Sequence, residues 1–144
     1  HLSTKVLIRL IRLKAIESEL AMLKNYDNFF LPATDLASAR AFYADTLGLA
    51  VKFDFSARGL LAFRVGDEEE AIILRSHANA RPAILDGVDD VRAAYSELKE
   101  KGVKFLSEPY EINTGLAVEF EDPFGNRLGI TDYSKKPEIE QNIK

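Results

Sequence analysis

Apolar and polar residues alternate with a period of two along Asn28 to Ala33, with Phe29, Leu31 and Ala33 on one side and Asn28, Phe30 and Pro32 on the other. A half-buried strand reads this way, because successive side chains leave a strand on opposite faces. Asp35 then stands as an N-cap for a helix running to about Leu47. Three strand-like runs follow, Leu49 to Phe55, Leu60 to Val65 and Ala71 to Arg75, with Gly66-Asp67-Glu68 as the turn between the last two. The same order then returns. A strand is expected near Ala83 to Leu85 and a helix from Asp90 to Lys101 closed by Gly102. Further strands are expected at Val103 to Leu106, Leu116 to Glu121 and Arg127 to Asp132. The wording repeats as well as the order. Val51-Lys52-Phe53 matches Val103-Lys104-Phe105, and Gly59-Leu60-Leu61-Ala62-Phe63 is echoed by Gly115-Leu116-Ala117-Val118-Glu119-Phe120. One strand–helix–three-strand unit would leave a sheet face bare, so two copies must cover or extend each other. The expected fold is α+β, with paired βαβββ modules at 27–76 and 82–133 inside a unit spanning 25–134.

Residues 1–24 read differently. Val6, Leu7, Leu10, Ile11, Leu13, Ile16, Leu20 and Leu23 recur near helical spacing behind Ser3, a plausible N-cap, which predicts an extra amphipathic helix. Its first half carries Lys5, Arg9, Arg12 and Lys14 and its second Glu17 and Glu19, opposite to what the helix dipole favours, so packing must stabilise it. A membrane surface, a targeting function or a partner groove would each use such a helix; docking on a dimer mate or a neighbouring sheet is the simpler expectation. Met22 is the sole methionine, and residues 1–21 are accordingly expected to be leader sequence upstream of a start at Met22. Residues 135–144 form a charged tail.

Composition removes several classes of function. Hydrophobic residues make up 47% and charged residues 29% of the 144, the profile of one globular core. A net charge of −4 without a basic stripe argues against nucleic acid as a partner. Cysteine is absent, which removes thiol nucleophiles, disulfides and Cys-based metal sites and suits the cytoplasm. No apolar run approaches the roughly 20 residues a bilayer needs, so no membrane association is expected. His77 beside Ser76 lies on the linker between modules, where a solvated histidine is the ordinary reading. No glycine stands in a phosphate-loop context, and Glu68-Glu69-Glu70 form an acidic hairpin tip.

Three sets of residues carry a family resemblance. Asp35-Leu36, Ala41-Phe42-Tyr43 and Leu47-Gly48-Leu49 lie in the first module. Val88-Asp89-Asp90-Val91, Ala93-Ala94-Tyr95, Leu98 and Lys101-Gly102-Val103 lie in the second, followed by the turn Asp122-Pro123-Phe124-Gly125-Asn126. In this order and duplication the chain resembles the glyoxalase, bleomycin-resistance and extradiol-dioxygenase group, the vicinal oxygen chelate superfamily. The resemblance implies a curved, half-open barrel, often completed in a homodimer, with the ligand on the concave side. In many members a divalent metal sits there on four side chains, one from each of four strands, and polarises a carbonyl, stabilises an enolate or activates oxygen.

Carried onto this chain, the four ligand positions fall at Asn28, Ile73, Ala83 and Gly129, with Pro82 or Arg81 as alternatives for the third. One amide oxygen among three groups with no donor does not make a metal site. No cofactor is therefore expected, and a divalent metal belongs only to the competing reading. Strand parity directs Asn28, Phe30, Ile73, Arg75, Ala117, Glu119 and Arg127 toward the concave face. The expected site is an apolar cleft for a small organic ligand, with Asn28, Phe30, Arg75, Glu119 and Arg127 as candidate binding residues. Arg75 and Arg127 could equally be rim charges or partners of Glu119, and Tyr43 and Tyr95 are read as core. Tyr110, Asn113 and Phe124 sit in loops that could border the entrance. The expected function is metal-independent small-molecule binding. A metal-dependent glyoxalase-like lyase or dioxygenase is one alternative, and an interaction module with a vestigial pocket is the other.

Overall fold

The structure, a computed structural model, describes residues 3–20 and 22–136. Helix α1 (Thr4–Leu20) comes first, then β1 (Asn25–Pro32), α2 (Leu36–Arg40) continuing into a π-helical turn (Ala41–Thr46), β2 (Ala50–Phe55), β3 (Leu60–Arg64) and β4 (Ala71–Arg75). The second module comprises β5 (Ala83–Gly87), α3 (Val91–Glu100), β6 (Lys104–Phe105), β7 (Tyr110–Glu111), β8 (Leu116–Glu121) and β9 (Arg127–Thr131). The described chain thus forms the expected α+β arrangement of two βαβββ modules with an additional helix in front. Differences are local: β1 starts earlier than predicted, the first helix ends in a π turn, and β7 is an extra short strand.

Both helices begin where an aspartate supplies the acceptor. Asp35 Oδ1 accepts from Ala37 N at 3.0 Å and Ser38 N at 3.3 Å, and Asp90 Oδ1 accepts from Ala93 N at 3.1 Å. Gly102 adopts φ +90°, the left-handed conformation that ends α3 without a Cβ clash.

The strands form one sheet in the order β2-β3-β4-β1-β5-β9-β8-β6, with β7 paired to β8; the path does not close. At its centre β1 and β5 run antiparallel, each flanked by a parallel strand of its own module. Phe30 pairs with Ile73 of β4 and Ala83 of β5, and Leu85 pairs with Gly129 of β9 and Asn28 of β1. The duplication therefore appears as an approximate two-fold relation about the β1–β5 seam.

The helix-side face carries the main packing. Under α2 lie Leu61, Phe63 and Leu74 with Leu31, and Tyr43 stacks on Phe63 at 5.1 Å between ring centres. Val91 and Ala94 of α3 pack on Val118, Phe120 and Ile130 of the sheet, with Met22 alongside; Tyr95 of the same helix lies 4.6 Å from Phe105. Burying each such aliphatic or aromatic side chain fully contributes about 1.5–3 kcal/mol. Tyr43 and Tyr95 are core residues, as expected. The opposite face carries its own cluster, Ala62, Ala71 and Ile73 with Phe30, Phe53 and Leu60.

In α1, Ser3 Oγ accepts from Val6 N at 3.2 Å, the predicted cap. Val6, Leu7, Ile8, Leu10 and Ile11 remain 43–60% exposed. The side chains of Leu13, Ile16 and Leu20 and tail residues 137–144 lie outside the described residues. No described helix is long and apolar enough to cross a membrane.

Candidate functional site

The sheet curls so far that its two flanks touch. Strands β4 and β8 are separated by β1, β5 and β9. In a flat sheet, four spacings would hold them about 19 Å apart. Instead Arg75 of β4 meets Glu119 of β8 through two hydrogen bonds of 3.2 Å, Nη1 to Oε2 and Nη2 to Oε1. Both side chains point to the face opposite the helices, so this face is concave. They are almost wholly buried, with side-chain exposures of 9% and 13%. Arg75 Nη2 also donates to Arg81 O at 3.3 Å, and the guanidinium lies 4.0 Å from the centre of the Phe30 ring. Tyr110, from the unforeseen β7, donates its hydroxyl to Glu119 Oε2 at 3.4 Å. Partial burial, then the Glu119 charge, raises the Tyr110 phenol and keeps it a donor. Two of the expected ligand anchors are thus engaged with each other across the cup.

The remaining candidates share that face in different circumstances. Asn28 Oδ1 accepts from Ala71 N at 3.1 Å, and its Nδ2 donates to Asp27 Oδ2 at 2.7 Å, so its amide is used inside the protein. Ile73, Ala83 and Leu85 are buried. A Cβ added at Gly129 would lie 2.5 Å from Leu85 Cδ1 and 3.2 Å from Glu119 Cγ, so neighbours already occupy the space a side chain there would need. The four positions to which the resemblance assigns metal ligands do converge on one face, but they hold one committed amide and three groups without donors. Among the described residues no group of three or more His, Asp or Glu side chains is placed to hold a metal. The donor set does not fit a divalent ion.

Arg127 stands in one cross-strand row with Ala83, Phe30 and Ile73. Its Nε is shielded from solvent and has no hydrogen-bond partner among the described residues; the same holds for Arg75 Nε. Where β1 ends and β5 and β9 begin, a cleft of about 560 Å³ is lined by Phe30, Arg81, Pro82, Ala83 and Arg127. Phe29, Ile84 and Leu128 also line it, so it extends round the strand ends toward the helix side. Its volume lies in the range of small-molecule sites. A larger hollow of about 670 Å³ beside Lys101, Lys104 and Glu121 includes none of the candidate residues. Phe124 is exposed at the Asp122 turn, and Asn113 is exposed near β8.

The opposite end of the cup is acidic. A β-bulge between Tyr26 and Asn28 displaces Asp27 from strand alternation. Tyr133 donates its hydroxyl to Asp27 Oδ1, and burial raises the Asp27 carboxyl above its ordinary value even though Tyr133, Asn28 and Lys52 act to lower it. Asp86 is raised too, by burial and then by the Asp27 charge. Sequence reasoning missed Asp27 because the bulge is not visible in an alternating pattern.

With the fold and this geometry described, comparison with known proteins fixes the class. The Glyoxalase/Bleomycin resistance protein/Dioxygenase superfamily matches residues 25–130, and the chain belongs to that superfamily. Among curated proteins it is similar to YetH of Bacillus subtilis, 25% identical over 114 residues, covering 73% of this chain and 95% of YetH. It also matches YurT of the same organism, 41% identical over 49 residues; that match spans 34% of this chain and only 39% of YurT. Among solved structures, methylmalonyl-CoA epimerase from Mycobacterium tuberculosis superposes with a TM-score of 0.65 at 16% identity, covering 83% of this chain and 95% of the epimerase. A glyoxalase/bleomycin resistance protein/dioxygenase superfamily member from Vibrio splendidus 12B01 gives 0.56 at 15%, covering 72% and 94%. At these identities the structural likeness establishes the fold.

Proposed function

We propose that the protein binds a small organic molecule at the mouth of the cup, in the cleft lined by Phe30, Arg81, Ala83 and Arg127, without a resident divalent metal. The observation that carries this reading is the donor set at Asn28, Ile73, Ala83 and Gly129, together with the Leu85 side chain that fills the space beside Gly129. A lyase or dioxygenase of the metal-dependent kind would need hard or imidazole donors at those places. Capture here runs on apolar burial against Phe30, Pro82, Ala83 and Ile84 with hydrogen bonds from the arginines. A homodimer belongs to the same reading, supported by the exposed apolar surface of Tyr26 and Phe124.

Elemental analysis after incubation with Ni²⁺, Zn²⁺, Mn²⁺ and Fe²⁺ tests the metal-free part. The expected result is no stoichiometric metal after gel filtration, and one tightly held ion per chain would overturn it. A thermal-shift screen of aromatic, glycopeptide and 2-oxo compounds tests the binding part, which fails if no compound raises the melting temperature. Sedimentation tests the dimer: a monomer at micromolar concentration removes it.

A further inference from the structure

The charges at the mouth do not balance. Arg75, Arg81, Arg127 and Lys104 lie at or beside this end of the cup, and their near neighbours supply three carboxylates, Glu119, Glu121 and Asp122. Glu121, the register partner of Arg127 across β8 and β9, lies 3.8 Å from Lys104 Nζ. Glu119 is taken by Arg75 and Tyr110. Asp122 accepts from Phe124 N, Asn126 N and Asn126 Nδ2, all at 2.8 Å, and so is satisfied within its own turn. The guanidiniums of Arg127 and Arg81 take part in no ion pair of the described residues, and Arg127 Nε is cut off from water without an acceptor. A guanidinium does not lose its proton, so its charge and donors persist, and a shielded donor without an acceptor is costly. Arg127 and Arg81 therefore keep charges that no carboxylate of the described residues answers in an ion pair.

We propose that the mouth selects a monoanionic ligand: a carboxylate held by Arg127, with Arg81 beside it, carried on a compact apolar body that lies against Pro82, Ala83 and Ile84. The inference rests on the small-molecule reading above. A carboxylate presents two oxygens to the fork of a guanidinium, so the two Nη groups of Arg127, which no described residue engages, can be satisfied together. One negative charge cancels the single excess positive charge of the four cations over the three carboxylates. A phosphate dianion would leave an excess negative charge beside Glu119 and Asp122. The apolar part follows from the walls: away from the arginines, the lining on the β1 and β5 side is Phe29, Phe30, Leu31, Pro82, Ala83 and Ile84.

The test compares matched pairs of probes on the full chain by calorimetry: 1-naphthoate with 1-naphthamide, and indole-3-acetate with indole-3-acetamide. Each acid is expected to bind about 10- to 100-fold more tightly than its amide, the range for a charge-assisted contact. Arg127→Gln should erase that preference, and Arg127→Lys should restore part of it. Because Arg127 makes no side-chain hydrogen bond among the described residues, Arg127→Gln should keep the circular dichroism of the parent. The comparison in the unsubstituted protein decides the matter even if that variant fails to fold. Equal binding of acid and amide sinks the carboxylate inference and leaves the small-molecule reading standing, as does a preference that survives in Arg127→Gln. Inorganic phosphate competing as well as the acids also overturns it. If neither member of any pair binds, the carboxylate inference falls, and the thermal-shift screen decides the small-molecule reading.

Discussion

Replacing Glu119 by glutamine removes one charge from the pair that holds the two flanks of the sheet together and leaves Arg75 buried. With side-chain exposures of 9% and 13%, neither partner can turn to water without opening the cup. Removing one member of such a buried pair costs about 3–5 kcal/mol, most of it from the charge left behind. Two features moderate the loss. The glutamine oxygen can still accept one of the two guanidinium hydrogen bonds, and Phe30, 4.0 Å beneath the guanidinium, retains a cation–π contact of about 1–2 kcal/mol. The expected net loss is about 3 kcal/mol, which for a chain of this length lowers Tm by about 10 °C. Urea unfolding followed by far-ultraviolet circular dichroism measures it directly. The double variant Arg75→Met/Glu119→Leu should recover most of the loss, because an apolar pair of similar volume has no charge to desolvate. If Glu119→Gln lies within about 0.5 kcal/mol of the parent, or the double variant is no better than the sum of its singles, the cup is not latched in this way.

Three further outcomes follow from the same geometry. Asp132 is 2% exposed and accepts from Val91 N at 2.9 Å, Leu116 N at 3.0 Å and Ser134 N at 3.2 Å; burial pushes its carboxyl up, but these donors outweigh that and hold it below the ordinary range. Asp132→Ala should therefore cost about 2 kcal/mol or more in urea unfolding, since the buried N–H of Val91 and the part-buried N–H groups of Leu116 and Ser134 lose their acceptor at once. Asp27 shifts the other way: its folded-state carboxyl is raised, so the folded protein holds the proton more tightly than the unfolded chain, and stability falls as pH rises from the ordinary 3.8 through the raised value. Asp27→Asn should gain on the parent across that window, and a constant difference with pH would refute the assignment. Gly129→Ala places a Cβ 2.5 Å from Leu85 Cδ1 and 3.3 Å from Val118 O, so about 1–3 kcal/mol of overpacking is expected by the same unfolding assay, and an unchanged midpoint would show that Leu85 moves freely.

What could be read in advance was whatever repeats at short range. Asp35 and Asp90 announced their helices because a cap acts within three residues, and period-two alternation put Asn28, Phe30, Ile73, Arg75 and Glu119 on one face. The contacts among those residues were not legible. Arg75 and Glu119 meet only because the sheet curls, and curvature arises from twist summed over several strands, which no single strand records. The usable signal was the coincidence of opposite charges on the concave parity of strands from different modules. The bulge at Asp27, the π turn at Ala41–Thr46 and the two-residue β7 carry no periodic signature, and two of them place a polar group: the bulge places Asp27 and β7 places Tyr110.

The charged character of the cup follows from where the two modules stopped being copies of each other. Ala62 pairs with Ile73 in the first module as Glu119 pairs with Gly129 in the second, so an acid stands where the first copy has a methyl group. Ala71 lies two residues before Ile73 as Arg127 lies two before Gly129, and Thr131 holds the place that Arg75 holds in β4. Had each pair stayed identical, the concave face would be either wholly apolar or lined with like charges facing each other across the seam. The divergence instead sets one arginine of the first module against one glutamate of the second, which closes the cup, and adds a second arginine that the closure does not use. The divergence thus leaves a guanidinium with no ion pair among the described residues beside an apolar cleft, and the proposal of an anionic ligand rests on that combination.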